Sequence, residues 1–293
     1  MYDVERLYQP KSLDEALTIL AEDPAVLPLA GGTDVIVKLR KNHPTGVRLI
    51  SLDRLEDLKG VEKYDDGTVA IGAMTTFTRL AQSPVISETY PMLATAALSM
   101  GGPQIQNVAT IGGNVCNGAV SADSAPSLFA LDARLVLRTR ESERIIPISE
   151  FYLGPGRVDR QEGELLIKIL IPAKGSAFGG VYTKFSVRKA MDLAILGAAG
   201  TCELAEDGSI GRAAIALGVA APVPIRCPEA EAYLIGKIPT EEVLKECGRL
   251  ALSSAKPRDS WRASKRYREA LIRELSGRVI REAFILAGGK CDG

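Results

Sequence analysis

Two short stretches carry the residues best suited to chemistry. AGGTD at 30–34 and TIGGN at 110–114 each place adjacent glycines after an apolar run and follow them with side chains that form hydrogen bonds. Adjacent glycines let the backbone approach a bound group and aim successive N–H groups at an anion, as phosphate-binding loops do. Two such loops could clasp a pyrophosphate, its charge met by backbone N–H groups rather than by a lysine cluster. Glycine pairs also occur at 101, 179 and 288, so each loop taken alone reads more simply as a turn. Asp34 and Asp123 suit another task, accepting hydrogen bonds from ribose or ribityl hydroxyls; as helix N-caps or Asx-turns they would be purely structural.

Other chemistries find less support. Neither loop spells GxGxxG, and no acidic residue is well placed at the end of a following strand, which disfavours an ordinary Rossmann site. The one histidine, His43, falls in the turn KNHPTG, where surface exposure is expected, so neither histidine acid–base chemistry nor a Ser-His-Asp triad is indicated. Lys184 in VYTKFSVRKAMD sits on an alternating strand and reads as a solvated edge lysine or as a ligand. Trp261 is expected to be a packing anchor rather than a cofactor contact. Residues 256–282 hold nine basic and four acidic side chains, the pattern of a solvated face or of a subunit-docking helix.

The elements that must position these residues follow from periodicity. Ser12 and Glu15 are spaced as a capping box ahead of Leu13, Ala16, Leu17 and Leu20, which predicts a helix. AVLPL and GVRLISL read as strands, giving a small α/β unit over 1–55. A strand in DDGTVAIGAMTT, a helix in PMLATAALSMGG, an apolar strand running into Gly112-Gly113, a hairpin from ARLVLRTR and ERIIPISEF, and a buried strand ELLIKILIPA make a second unit over 56–172. VYTKFSVR, AILGAAGTCEL and RAAIALGVAAP read as strands followed by two helical stretches, a third, α+β unit over 173–293. The last helix, about Ser264 to Ala287, places Tyr267, Leu271, Leu275 and Val279 on one stripe.

Composition bounds the function classes. The 293 residues are 46% hydrophobic, enough for a buried core and against disorder. Thirty-six basic and thirty-six acidic residues cancel, which removes the electrostatic footprint of a nucleic-acid binder. Five cysteines at 116, 202, 227, 247 and 291 contain no CxxC pair, so no local zinc or iron–sulfur motif and no secreted disulfide framework is written here. MYDVERLYQP lacks a basic region followed by an apolar one, and no apolar run approaches a membrane span, so a cytoplasmic location away from membranes is expected.

AGGTD, TIGGNVCNGAVSADSAP and FALDARL resemble the flavin-binding subunits of the molybdenum hydroxylases, and the resemblance covers nearly the whole chain. GVAAPVPIRC and PRDSWRASKRYREALI are most similar to the FAD-binding subunits of the bacterial xanthine dehydrogenase branch. The resemblance implies an α+β chain: a vanillyl-alcohol-oxidase (PCMH)-type FAD domain of two α/β subdomains, then a C-terminal α+β domain of the CO-dehydrogenase-flavoprotein type. It puts Leu27, Pro28, Leu29, Ala30, Gly31, Gly32, Thr33 and Asp34 along the FAD pyrophosphate. Ala109, Thr110, Ile111, Gly112 and Gly113 form the second loop, with Asn114 beside it. Asp123 takes the position that holds the ribityl chain, Leu165 and Lys184 line the flavin, and Leu166 joins them by adjacency.

The same resemblance implies partner subunits carrying iron–sulfur clusters and molybdopterin, with electrons passing through FAD here to NAD+. No residue of this chain is expected to act as a catalytic acid, base or metal ligand; the cofactor supplies the redox chemistry. Flavin subunits acting with carbon monoxide, nicotinate or other heterocycle hydroxylases share the architecture, and a docking subunit that has lost its flavin is the reading from another class. Gln106 departs from the arginine common in relatives, which leaves any contact through that charge open. The chain lacks the cysteine cluster of the benzoyl-CoA-type reductase branch. Gly112→Val is expected to lower FAD content by blocking approach to phosphate.

Overall fold

The computed structural model describes residues 3–290. Ser12 opens the first helix, its hydroxyl accepting from the Glu15 N–H at 3.1 Å, while the Glu15 carboxylate accepts from the Lys11 N–H at 2.7 Å. Helix Leu13–Glu22 then buries Ala16, Leu17 and Leu20, the stripe its spacing predicts. Each buried leucine contributes about 2 kcal/mol by the area it removes from water.

That helix connects strand β1 (Val4–Tyr8) to β2 (Leu27–Leu29), and helix Val35–Asn42 connects β2 to β3 (Val47–Ser51). The three strands run parallel in the order β1-β3-β2, with Leu27, Pro28 and Leu29 in register with Leu49, Ile50 and Ser51. Parallel neighbours require such helical crossovers. The segment AGGTD therefore lies at the carboxyl end of a parallel strand and leads straight into a helix, the position where α/β sheets bind ligands. His43 ends that helix in the left-handed region at φ 45° and is exposed, as its turn predicts, with Pro44 preventing further helix.

The second sheet is antiparallel: β4 (Val61–Lys63), β5 (Val69–Gly72), β6 (Arg134–Arg138), β7 (Glu143–Pro147) and, after the short pair β8 (Tyr152–Gly154) and β9 (Arg157–Val158), β10 (Leu165–Ile171). Its order is β4-β5-β10-β6-β7, so β10 is central and its apolar run is explained. Val69, Ile71, Leu135, Leu137, Ile169 and Ile171 meet Phe77, Leu80 and Leu93 from the covering helices in one core. The stretch NVATI is not the strand its apolar character predicts. Only Thr110 pairs, in an isolated bridge with Thr76, and helix Ile111–Cys116 starts at once because the Thr110 hydroxyl caps it.

The third sheet, β11 (Phe178–Phe185), β12 (Leu196–Leu204), β13 (Ile210–Gly218) and β14 (Ile225–Arg226), is antiparallel in sequence order. Three helices follow rather than two: Pro228–Leu234, Glu241–Ser253 and Lys265–Leu286. The last buries Leu271, Leu275 and Val279 against the sheet, while Tyr267 stays half exposed. Trp261 overturns its expected role as an anchor: it is 85% exposed. No helix among the described residues is long and apolar enough to cross a membrane.

Candidate functional site

A cavity of about 490 Å³ opens where the first sheet meets the second. One wall is Ala30–Asp34 with Val35, Lys38 and Leu39 of the following helix; the facing wall is Ala73, Met74 and the segment Ala109–Asn114 without Ile111. Leu165 and Leu166 from central strand β10 form an apolar floor, and Met100 and Ile105 close one side. The size and the mix of apolar surface with few polar groups suit a cofactor-sized ligand.

The glycines explain how the two loops meet. A Cβ on Gly31 would lie 1.9 Å from the Val108 carbonyl oxygen, and one on Gly112 would lie 2.6 Å from the Ala73 carbonyl oxygen. Both residues are small because protein backbone occupies that space, so they interlock the walls. Gly32 alone in these pairs needs its backbone freedom, at φ +73°. Gly112→Val would thus disrupt the fold whether or not phosphate lies nearby, and it does not isolate the loop's ligand role.

The backbone donors separate the loops further. In the second loop, Ile111 N–H donates to Thr75 O at 3.0 Å, Gly112 to Ala73 O at 2.9 Å, Gly113 to Thr110 Oγ1 at 3.1 Å and Asn114 to Thr110 O at 3.0 Å. Only Thr110 N–H is left without a protein acceptor there, among the described residues. In the first loop the N–H groups of Ala30 through Val35 all lack one among the described residues. Six successive free donors entering a helix make an anion-accepting concavity.

Side chains complete the lining. Asp34 holds the N-cap position without bonding its own helix, which leaves its carboxylate to the cavity and rules out the N-cap bond as its purpose. Asn114 Oδ1 accepts from Ser124 Oγ at 2.7 Å. Two cations that pattern reading did not single out are present. Lys38 Nζ donates to Asn117 Oδ1 at 2.6 Å across the cavity mouth, and Arg160 is anchored by donating to Glu164 O at 2.9 Å. Glu164 is buried and accepts from Arg144 Nε at 2.7 Å, from Arg144 Nη2 at 2.9 Å and from Gln161 N at 2.9 Å, which fixes the loop carrying Arg160. Cys116 retains a little surface towards the cavity, yet the dense protein around it pushes its thiol up to about 12.

Four residues singled out from sequence stand outside the lining. Leu29 packs with Leu39, Val47 and Leu49, and Ile111 is wholly buried. Asp123 and Lys184 form a buried ion pair behind the cavity: Lys184 Nζ donates to Asp123 Oδ2 at 2.9 Å, and Tyr182 Oη to Asp123 Oδ1 at 3.0 Å. Burial raises Asp123 above the usual carboxylate range despite the opposing pull of Lys184, and burial beside that carboxylate pushes Tyr182 well up too. Lys184 is therefore no solvated edge lysine. Its ammonium also donates to Ser99 O at 2.9 Å, while Gln106 Nε2 donates to Leu98 O at 2.8 Å and to Met100 O at 2.9 Å. Two side chains thus tie down three successive carbonyls at the end of helix Pro91–Ser99, and Gln106 needs no charge to do so.

A model of the FAD binding domain in molybdopterin dehydrogenase matches residues 2–174, and one of the CO dehydrogenase flavoprotein C-terminal domain matches 181–283. The chain belongs to the FAD-binding subunits of the molybdenum hydroxylases. Among these flavin subunits it is 38% identical to the xanthine dehydrogenase FAD-binding subunit of Escherichia coli O157:H7, over 99% of each chain. To the carbon monoxide dehydrogenase medium chain of Hydrogenophaga pseudoflava it is 29% identical over 97% of each. The solved structure of that organism's carbon monoxide dehydrogenase superposes with a TM-score of 0.92 at 29% identity, covering 97% of this chain and 99% of that one. As in the expected architecture, an FAD-binding domain precedes a flavoprotein C-terminal domain. The cavity fits the family's cofactor on its own chemistry: free donors and two cations for a pyrophosphate, an apolar floor for a ring system.

Proposed function

We propose that this protein is the FAD-binding electron-transfer subunit of a xanthine dehydrogenase-type molybdenum hydroxylase, taking electrons from iron–sulfur centres in one partner and passing them to NAD+. The row of six unpaired N–H groups from Ala30 to Val35, facing a cavity of cofactor size, carries the reading. FAD, when bound, supplies the redox chemistry by accepting electrons and handing them on. The chain's own residues hold and orient it. Ala30–Asp34 and Thr110 N–H would take the pyrophosphate, Lys38 and Arg160 would balance its charge, and the apolar surface of Leu165 and Leu166 would exclude water from the cofactor. Asp123 and Lys184 lie behind the lining and, through the Lys184 bond to Ser99 O, would steady the cavity side beside Met100. The chain divides near residues 55 and 172, so the cofactor lies between the first two units and the third is free to meet partners.

Xanthine as the complex's substrate is supported by the identity of 38% with a xanthine dehydrogenase subunit against 29% with a carbon monoxide dehydrogenase one. Molybdopterin and iron–sulfur clusters belong to partner subunits in this reading. The test is to purify the chain, record its visible spectrum and quantify released flavin. FAD near one per chain, reduced on adding NADH, is the expected result. A colourless chain that takes up no added FAD, alone or in its complex, overturns the proposal in favour of a docking subunit.

A further inference from the structure

The segment from Lys256 to Arg268 is the most one-sided in charge, and most of its cations lack a counter-charge. Lys256, Arg258, Arg262, Arg266 and Arg268 have no carboxylate within salt-bridge distance among the described residues. Asp259 Oδ1 is engaged by the Lys265 N–H at 2.7 Å, and Glu269 reaches only Lys265, at 3.9 Å. Asp132, by contrast, meets three cations, Lys174, Arg212 and Arg226.

Arg268 is 3% exposed, donates to Ile195 O and to Ser260 Oγ at 2.9 Å, and leaves its Nε without an acceptor. Arg262 Nε is likewise buried and unpaired. Burial and the neighbouring Arg258 and Arg262 hold Arg268 below the usual guanidinium range. Buried charge without a carboxylate partner is costly, and here one buried guanidinium, Arg268, and the buried Nε of Arg262 lie within one short segment.

Beside them the chain presents aromatic surface on a fixed turn. Ser260 N–H donates to Ala263 O at 3.0 Å and Arg262 N–H to Ser260 Oγ at 3.3 Å, which pins the turn at whose tip Trp261 is 85% exposed. The Arg262 guanidinium lies over the indole at 4.2 Å from the ring centroid. Tyr267 meets Phe185, and the Arg268–Ile195 contact joins this turn to a segment exposing Val187, Met191 and Leu193. Exposed tryptophan, tyrosine, methionine and arginine on a preorganised surface make the composition of an interface core rather than of a solvated face.

We infer that the 256–268 turn, with Trp261 as anchor and Arg258 and Arg262 beside it, docks a partner subunit of the assembled enzyme through an apolar recess rimmed by carboxylates. Charge complementarity selects that occupant: the partner's carboxylates supply the acceptors that these guanidinium groups lack. The inference rests on the multisubunit reading above.

The experiment co-expresses this chain with the iron–sulfur and molybdopterin subunits of its own complex and measures dissociation of the purified complex for wild type, Trp261→Ala, Arg262→Glu and the surface control Ile145→Ser. Each of the first two is expected to weaken subunit binding by about thirtyfold, with FAD content and melting temperature of the isolated chain unchanged and the control equal to wild type. Amide exchange across 257–267 is expected to slow in the wild-type complex relative to the isolated chain. Unchanged exchange there, or variants that bind as wild type does, overturns the inference while leaving the flavin reading standing. So does a loss confined to self-association, which would make the occupant a second copy. A wild-type chain that holds FAD yet joins no partner overturns both the docking inference and the multisubunit reading.

Discussion

Replacing Lys184 by methionine isolates the buried ion pair and tests the claim that it positions the cavity wall. The substitution keeps the side chain's length and removes two charged hydrogen bonds, to Asp123 Oδ2 and to Ser99 O, both at 2.9 Å. Asp123 is 5% exposed and keeps only the Tyr182 hydroxyl. Removing one member of a buried pair costs about 3–5 kcal/mol, and the surviving Tyr182 bond places this case near 3 kcal/mol. The cost must depend on pH. Asp123 already titrates above its ordinary 3.8 because burial outweighs the pull of Lys184, and without that pull it rises further. A carboxyl whose folded value is raised stabilises the fold below the unfolded value and loses that contribution as pH rises through the folded value. The deficit of Lys184→Met is therefore full above the variant's folded Asp123 value and shrinks as pH falls through it towards the wild type's, which is itself raised.

Urea midpoints measured across that pH range, on flavin-loaded and stripped protein, give the deficit directly. Adding Asp123→Asn to Lys184→Met supplies a neutral acceptor for Tyr182 and is expected to recover at least about 1 kcal/mol at neutral pH while abolishing the pH dependence. A deficit equal at every pH, or no recovery in the double variant, refutes the reasoning that an uncompensated Asp123 is the cause.

Gly32→Ala meets only ordinary contact with Ile36, so its cost is backbone strain of about 1–2 kcal/mol, seen as a melting temperature lower by a few degrees, together with weaker FAD retention on dialysis. Arg160→Ala is expected to weaken FAD binding about tenfold at low salt and Lys38→Ala about threefold, since Lys38 is the more exposed; both effects should fade at high salt in a flavin-fluorescence titration. Gln106→Leu strands the Leu98 and Met100 carbonyls and should cost about 2 kcal/mol by denaturant titration.

The strongly periodic elements were legible in the sequence. The Ser12 box, the Leu13–Glu22 stripe, the central strand Leu165–Ile171 and the long C-terminal helix all follow from local pattern, because each buries the face that its period marks. Helix Val35–Asn42 was not legible, since Val35, Ile36 and Val37 are β-branched and Leu39 is the only fully buried residue in it. Helix Ile111–Cys116 carries two glycines in its first turn that local propensity counts against, and only the Thr110 cap with tertiary contacts to Ala73 and Thr75 makes it. Lys38 and Arg160 were missed for a related reason: each comes to the cavity from an element whose placement depends on packing between units. Trp261 was misjudged because composition ranks tryptophan as buried, whereas the Ser260–Ala263 bridge fixes it outward.

The two glycine loops, similar as strings, do different physical work. The first keeps its donors free because no strand or helix partner lies within reach of Ala30–Val35; the second spends its donors on Thr75, Ala73 and Thr110 and becomes scaffold. Gly31 against Val108 presses the free loop onto that scaffold. The scaffold then continues through Ile105 and Gln106 to the Leu98–Met100 carbonyls, and through Lys184 to strand β11 of the third sheet. Met191 N–H bonding to Gly101 O at 3.0 Å extends the same support to the exposed 187–193 segment. The wall facing the first loop thus ends at the sheet whose Phe185 packs against Tyr267, next to the arginine turn. Changes that loosen the Lys184 tie should therefore weaken flavin retention without touching a single lining atom, which is why the stripped and loaded forms of Lys184→Met need to be compared.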